Sequence, residues 1–376
     1  MYRLCCLALL ATCFSCAPAS PPLDVRPAFY CWEAEPSYQN DAVPDSLQAS
    51  RLYLRLFDVA WDPERQKPYP AGPFISSWRW GQIAELVPVI FITNETLQHL
   101  DSAGCADLAQ RMARKIEARL LRLASMERDV YYWEILENPE QDTLYNATQR
   151  LIDTAARRSD EWMSRIRELQ IDCDWTAGTR DRFFFLLREL QRLHPQYTLS
   201  CTIRLHQYRH PDKTGVPPVA RGMLMCYNLG DLKDPAAVNS IFTYAEALPY
   251  FENKTPYPLP LDVALPSFRW GVLFRLGQFQ FIVSEEDWET HKDQFQAQGK
   301  NLYRAKADFT LNHHYIREGD LLRLEEPSQE ELLRLIALLR RQTLAQPLHV
   351  AFFHLGSTLC SYENIPRLQA LVRAFR

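Results

Sequence analysis

Short apolar runs recur along the chain, separated by longer segments in which apolar residues return every three or four positions. The short runs at 28–32, 51–59, 87–93, 169–174, 197–203, 222–227, 261–265 and 348–354 are rich in β-branched and aromatic residues and predict strands. Helical spacing falls between them, at 106–124, 180–193, 235–248, 329–343 and 365–375. The stretch RFFFLLRELQRL from Arg182 shows how such a helix would lay one apolar face on a sheet. Strand–helix alternation predicts the α/β class, and the number of repeats points to a (β/α)8 TIM barrel over 23–376. Two stretches exceed what a barrel needs. Residues 126–163 elaborate the third βα crossover, and about 267–327 form a small β-rich insertion after strand seven, with alternating segments at 271–283, 302–310 and 320–324.

Residues 1–22 follow a different pattern. Arg3 precedes an apolar run over 4–14, then small residues, and four of the chain's ten cysteines sit here: Cys5, Cys6, Cys13 and Cys16. The run is too short to span a bilayer as a helix and reads as an export segment. Its ending resembles a bacterial lipoprotein signal, which implies lipidation at Cys16, with Cys13 the rival, a membrane anchor and a place in the cell envelope. An ordinary cleaved secretory peptide is the alternative. The remaining cysteines show no metal spacing, and those in strand runs (Cys173, Cys201, Cys226) read as small buried hydrophobes.

Composition narrows the function. Lys and Arg number 42 against 46 Asp and Glu, a net charge of −4 over 376 residues, which argues against a nucleic-acid partner. Only 12 glycines are present, with no GxGxxG or Walker-type run, so no nucleotide cofactor is implied. No HExxH occurs and the residues imply no metal, although Asp58, Asp172 and Asp174 are the oxygen ligands a hard cation would choose.

In such barrels chemistry sits at the C-terminal strand ends. Those ends carry Glu33, Asp58, Glu95, Asp172 with Asp174, Tyr227 with Asn228, Trp270 and His354. Asp172 and Asp174 share one face of strand four, since strand side chains repeat every two residues. Two carboxylates on a barrel interior need partners or protons. They are either a working pair or a structural one, for which Arg55 would be the counter-ion. Trp32, Trp175, Tyr227, Phe268 and Trp270 offer aromatic faces for sugar rings or for core packing.

The segment Asp172-Cys173-Asp174-Trp175 resembles the strand-four motif of family 18 glycoside hydrolases, the chitinase-like barrels, whose core reads Asp-x-Asp-Trp-Glu. Met225-Cys226-Tyr227-Asn228 resembles their strand-six Met-x-Tyr-Asp, and Leu261 to Phe268 their strand-seven segment. The likeness runs from Leu169 to His354. The whole chain is similar to a family of uncharacterised bacterial lipoproteins with chitinase-like barrels, through RGMLMCYNLG from Arg221 and ALPSFRWGVLFR from Ala264. The resemblance implies that Asp174 assists a substrate N-acetyl group, that Tyr227 holds that group, and that the general acid's place is taken by Thr176. Loss of a proton donor removes roughly two to four orders of magnitude in rate. Glu33, Asp58 and Glu95 are the candidate replacements.

Two readings follow at one pocket. The first is a lipid-anchored glycoside hydrolase-like barrel with Asp172, Asp174 and Tyr227 as its catalytic groups; Glu33, Asp58, Glu95, Trp175, Asn228, Trp270 and His354 contact carbohydrate. The second is a non-catalytic barrel that binds glycan with the same residues. A structural envelope lipoprotein is the third.

Overall fold

In a computed structural model the chain is described over residues 23–32, 47–71, 83–137, 153, 156, 157, 159–252, 255–342, 344–355 and 364–376, with side chains of 126–137 excepted. Cys13, Cys16 and Glu33 lie outside the described residues, as does Cys360.

Parallel strands close into a (β/α)8 barrel. They are β1 (Val25–Cys31), β2 (Arg51–Asp62), β3 (Glu85–Ile92), β4 (Glu168–Asp172), β5 (Thr198–Arg204), β6 (Arg221–Met225), β7 (Leu261–Pro266) and β8 (Leu348–Phe353). Each pairs with its neighbour in chain order, and β1 meets both β2 and β8, so the sheet has no open edge. All the predicted strands are found, with ends shifted by a few residues. An antiparallel segment, Lys67–Ala71, which the pattern did not predict, folds back on the end of β2.

The pleat divides each strand between lumen and helix layer. Phe29, Leu52, Leu54, Ile90 and Ile171 are buried toward the helices, where Phe183, Leu186, Leu187 and Leu190 of the helix Arg180–Leu193 also disappear from solvent. The lumen is polar. At its lower end Arg51 of β2 reaches Glu168 of β4 at 2.8 Å, past the intervening strand, and also pairs with Glu85. Ser200 Oγ donates to Glu168 at 2.6 Å, and Arg221 pairs with Asp262 at 3.1 Å beside His349. Above this layer the Tyr30 hydroxyl donates to Gln170 across the barrel at 2.6 Å, and Tyr30 stacks on Tyr53 at 4.6 Å. Buried charges persist because each has an opposite charge or hydrogen bond.

One irregularity bears on the upper end. The pairing of β2 with β3 slips between Arg55 and Phe57, a bulge that adds one residue on β2. The alternation therefore changes phase, so Arg55 and Asp58, three residues apart, both face the lumen and form an ion pair.

Two helical expectations need adjustment. The helix predicted at 106–124 runs over Ser102–Glu137. The helix predicted at 235–248 is reduced to the single turn Tyr244–Ala247 and a 3-10 turn, Leu248–Tyr250. The reason is local. Asp234 takes the Ala236 N–H (2.8 Å), and Asn239 takes the Ile241 N–H (2.9 Å) and that of Phe242, so short polar side chains hold the backbone in turns.

Between β7 and β8 lies a separate antiparallel sheet in the order Gln278–Val283, Trp270–Arg275, Leu321–Glu325, Leu302–Ala305 and Phe295–Ala297. It has its own small core, including Leu273, Val283, Trp288 and Leu322. Buried Glu325 ties it to the barrel. One carboxylate oxygen accepts from the Ser240 N–H (2.9 Å) and Oγ in the loop after β6, and from Trp270 Nε1 (2.8 Å); the other meets Arg323 Nε at 2.6 Å.

Candidate functional site

The upper ends of β4, β5 and β6 assemble the site. Asp172 closes β4 and is buried; Thr202, in register on β5, donates its hydroxyl to Asp172 Oδ1 at 2.6 Å. Burial pushes the Asp172 carboxyl up to about 7, reinforced by the Asp174 and Asp58 charges and opposed by the Thr202 hydrogen bond and by Arg204. Close to neutral pH, Asp172 therefore exists in both protonation states.

Asp174, two residues on, stands at the mouth with half its side chain exposed, and Arg204 Nε lies 3.7 Å from its carboxylate. Arg204 ends β5, and its second nitrogen donates to the Asn228 carbonyl at 3.2 Å, so one guanidinium links the ends of β4 and β6. Its backbone N–H is held by Gln207 Oε1 (2.7 Å), while Gln207 Nε2 donates to the Trp175 carbonyl at 2.9 Å. The two predicted aspartates thus have different partners, Thr202 and Arg204, and neither partner is Arg55.

Arg55 instead grips Asp58 with two nitrogens and lies 4.9 Å above the Trp32 ring. With Asp58 engaged this way, the triad Asp58, Asp172 and Asp174 does not gather as oxygen ligands. Among the described residues no group of three or more His, Cys, Asp or Glu is placed to hold a metal ion.

Tyr227 follows β6 and is buried, its ring stacked on Phe353 of β8 at 5.0 Å and edge-on to Phe268 at 6.2 Å. Its hydroxyl is enclosed and has no hydrogen-bond partner among the described residues. Burial, then the neighbouring Asp172 charge, holds the Tyr227 phenol well above its ordinary range, so it is a neutral donor. An enclosed O–H without an acceptor is costly, and a water or ligand atom beside it would relieve that cost. Asn228 next to it has φ of 55°, a left-handed conformation that Asn tolerates better than most residues, and its side chain is exposed.

Several sequence candidates lie elsewhere or serve the frame. Trp175 is wholly buried: its ring stacks on Phe183 at 4.9 Å and Nε1 donates to the Thr214 carbonyl at 2.9 Å, so it packs under the site and offers no face to a sugar. Glu95 is exposed in the first turn of the helix Asn94–Gln98, just beyond β3. Half-buried Trp270 contacts Phe268 at 5.0 Å but is tethered by Glu325. His354 lies flat against Phe268 at 6.1 Å. Thr176 is exposed; its N–H donates to Thr179 Oγ1 at 3.0 Å, and Thr179 donates to Asn94 Oδ1 at 2.6 Å. That corner is therefore a chain of neutral hydrogen-bonding groups.

Sequence reading did not select Thr202 or Arg204 as site residues. A signal was present, because Ser200, Thr202 and Arg204 alternate along β5 as Glu168, Gln170 and Asp172 do along β4. Phe353 reads as an ordinary strand aromatic, and only its contact with Tyr227 sets it apart.

No family model matches the sequence, and no curated protein matches it. Among solved structures, the chain is similar to a chitinase from Chromobacterium violaceum, with 10% identity over 92% of this chain and 98% of that one, at a TM-score of 0.50. It is also similar to the Bacillus cereus spore cortex-lytic enzyme SleL, with 13% identity, 92% and 74% coverage and a TM-score of 0.42. A third likeness is to active domain 2 of a thermostable chitinase from Pyrococcus furiosus, with 9% identity, 95% of each chain and a TM-score of 0.29. At such identities the likeness concerns fold alone, and the first of them agrees with the closed sheet described above: this chain has a (β/α)8 barrel, the fold it shares with that chitinase.

Proposed function

We propose that this protein binds an N-acetylated glycan at the C-terminal face of its barrel, with little hydrolysis of natural glycosides. The observation that carries the reading is the enclosed, partnerless Tyr227 hydroxyl beside buried Asp172, at the strand ends where this fold places its ligands. Tyr227 would donate to an acetamido oxygen and Asp174 would accept its N–H, with Phe268, Trp270, Trp32 and His354 along the rim. Thr176 stands where the resemblance sets the proton donor, and its surroundings are hydroxyls and an amide. A hydroxyl of ordinary acidity does not protonate a leaving group at neutral pH.

One observation favours a second reading, glycoside hydrolysis. The Asp172 carboxyl is pushed up to about 7, by burial first and with the Asp174 charge contributing, so it holds a proton near neutral pH. A proton on Asp172 would free Asp174 to act on a bound sugar whose leaving group needs no acid. Hydrolysis of nitrophenyl N-acetylglucosaminides and of chito-oligosaccharides, by wild type and by Thr176→Glu, separates the readings. The binding account expects slow release of nitrophenol, negligible cleavage of natural oligosaccharide, and a gain on the latter only in Thr176→Glu. Brisk wild-type cleavage of the natural oligosaccharide would overturn it.

The location is part of the same proposal: export and attachment to the bacterial cell envelope through a lipid on Cys16. It is supported by the apolar run that ends among cysteines. Among the described residues no helix is long and apolar enough to cross a membrane. Labelling with a fatty-acid analogue should mark wild type but not the Cys13→Ser/Cys16→Ser protein; unlabelled wild type would refute the anchor.

A further inference from the structure

Arg55 and Arg204 both stand at the upper end of the lumen, and they are held differently. Arg55 is closed: two nitrogens donate to Asp58, and one donates to the Trp32 carbonyl at 3.4 Å. Arg204 is open. Among the described residues its guanidinium makes one hydrogen bond, to the Asn228 carbonyl at 3.2 Å, and Asp174 stays 3.7 Å from Nε, beyond hydrogen-bonding reach. A guanidinium carries its N–H donors in a planar fork, so most of those on Arg204 are uncommitted, on a side chain only 22% exposed. The Asp174 carboxylate likewise accepts no hydrogen bond from the described residues. An ion pair left apart in this way can receive a ligand on both of its members.

The charges around this opening leave room for an anion. Asp58 is neutralised by Arg55, and Asp172, pushed up to about 7 mainly by burial, is protonated in part of the molecules near neutral pH. His206, two residues beyond Arg204, feels both Arg204 and Asp174. Burial and then the Arg204 charge hold its imidazole below the ordinary range, and the neutral ring keeps one N–H to donate. Asp174 is then the remaining negative charge. A ligand carboxylate seated on the Arg204 fork would lie farther from Asp174 than from the guanidinium, so attraction outweighs repulsion. A neutral sugar covering Arg204 would return a hydroxyl for several desolvated N–H groups. A carboxylate accepts parallel N–H bonds from the fork and matches its charge.

We infer that the glycan received at this mouth is acidic, and that a carboxylate on it is held by Arg204 while its acetamido group meets Tyr227 and Asp174. The inference rests on the carbohydrate reading and narrows its ligand to N-acetylated glycans that carry sugar acids. Such a carboxylate has two chemical sources, a uronic acid or a lactyl ether on the amino sugar, and both offer Arg204 the same group.

The test is titration calorimetry of the full chain with oligosaccharides of equal length: N-acetylglucosamine alone, the same sugar alternating with glucuronic acid, and the same sugar alternating with its 3-O-lactyl ether. Each acid is also titrated as its methyl ester, which removes the charge and keeps the sugar. At least one acid should bind wild type about tenfold or more tightly than its ester, and which one does so identifies the source. That comparison is read on wild type alone. Arg204→Gln should bring acid and ester level, and Arg204→Lys should retain part of the difference. Tyr227→Phe should weaken acid and ester alike and leave their ratio in place. Equal binding of acid and ester to wild type, or a preference that survives Arg204→Gln, would overturn the inference; the carbohydrate reading would stand if Tyr227→Phe still weakened both. Equal affinity of wild type and Tyr227→Phe for every oligosaccharide, or no binding of any, would overturn that reading and the inference with it.

Discussion

Asp172 is the residue on which the site's chemistry turns. Its carboxyl is pushed up to about 7, mainly by burial, so the folded chain holds a proton that the unfolded chain releases near pH 4. Folding stability from this group is thus fully present below about pH 4, declines as pH rises, and is lost above about pH 7. Asp172→Asn keeps an acceptor for Thr202 and removes the titration. Urea unfolding across pH should show wild type losing stability from pH 4 to 7 relative to the variant, by roughly 2–4 kcal/mol at pH 8. Parallel curves would mean that Asp172 titrates normally. Trp175 makes the complementary case. Trp175→Phe leaves the Thr214 carbonyl without its donor and should cost about 1–3 kcal/mol in denaturant unfolding, with glycan affinity unchanged. A selective loss of affinity would restore Trp175 to the binding site.

Among the elements, β2 shows where sequence reading reaches its limit. Its apolar pattern predicts a strand, but not the extra residue between Arg55 and Phe57 that turns Asp58 inward. A bulge changes the phase of alternation without changing composition. Deleting Leu56 removes the extra residue and lets Arg55, Phe57 and Asp58 alternate regularly against the same β3 partners, so Asp58 stays inward and the protein should still fold, losing about 2–5 kcal/mol in denaturant unfolding with the buried Leu56 side chain. A deletion variant that cannot fold would show that the bulge itself, and not only the register on either side of it, is required. The strand runs were legible because period two puts alternate residues on one face, whereas Asp174 lies past the end of β4 and takes Arg204 as its own partner. The turns at 235–243 were not legible, since they depend on Asp234 and Asn239 each capping nearby N–H groups inside a stretch of helical spacing. Likewise, the partners of Asp172 and Asp174 come from β5, and no local pattern on β4 names them.

At the scale of the whole molecule, a polar lumen replaces the branched apolar filling usual in such barrels, and a second small core is tied to the loop after β6 by buried Glu325 together with hydrogen bonds from Arg323, Asn239 and Asn301. Glu325 joins sequence positions 85 residues apart, a contact invisible to any window of sequence. Glu325→Ala should leave Arg323 buried without its counter-charge, destabilise by about 3–5 kcal/mol and open 268–327 to protease before the barrel is cut. Simultaneous cleavage of both parts would show that the insertion is not held independently.

The central claim is that the barrel mouth receives a glycan through Tyr227, and titration calorimetry with a chito-oligosaccharide tests it most directly. Wild type should bind with one site per chain, and Tyr227→Phe, which deletes only the enclosed hydroxyl, should weaken affinity by roughly tenfold or more with an unchanged melting curve. No heat from wild type, or equal affinity in Tyr227→Phe, would contradict the account.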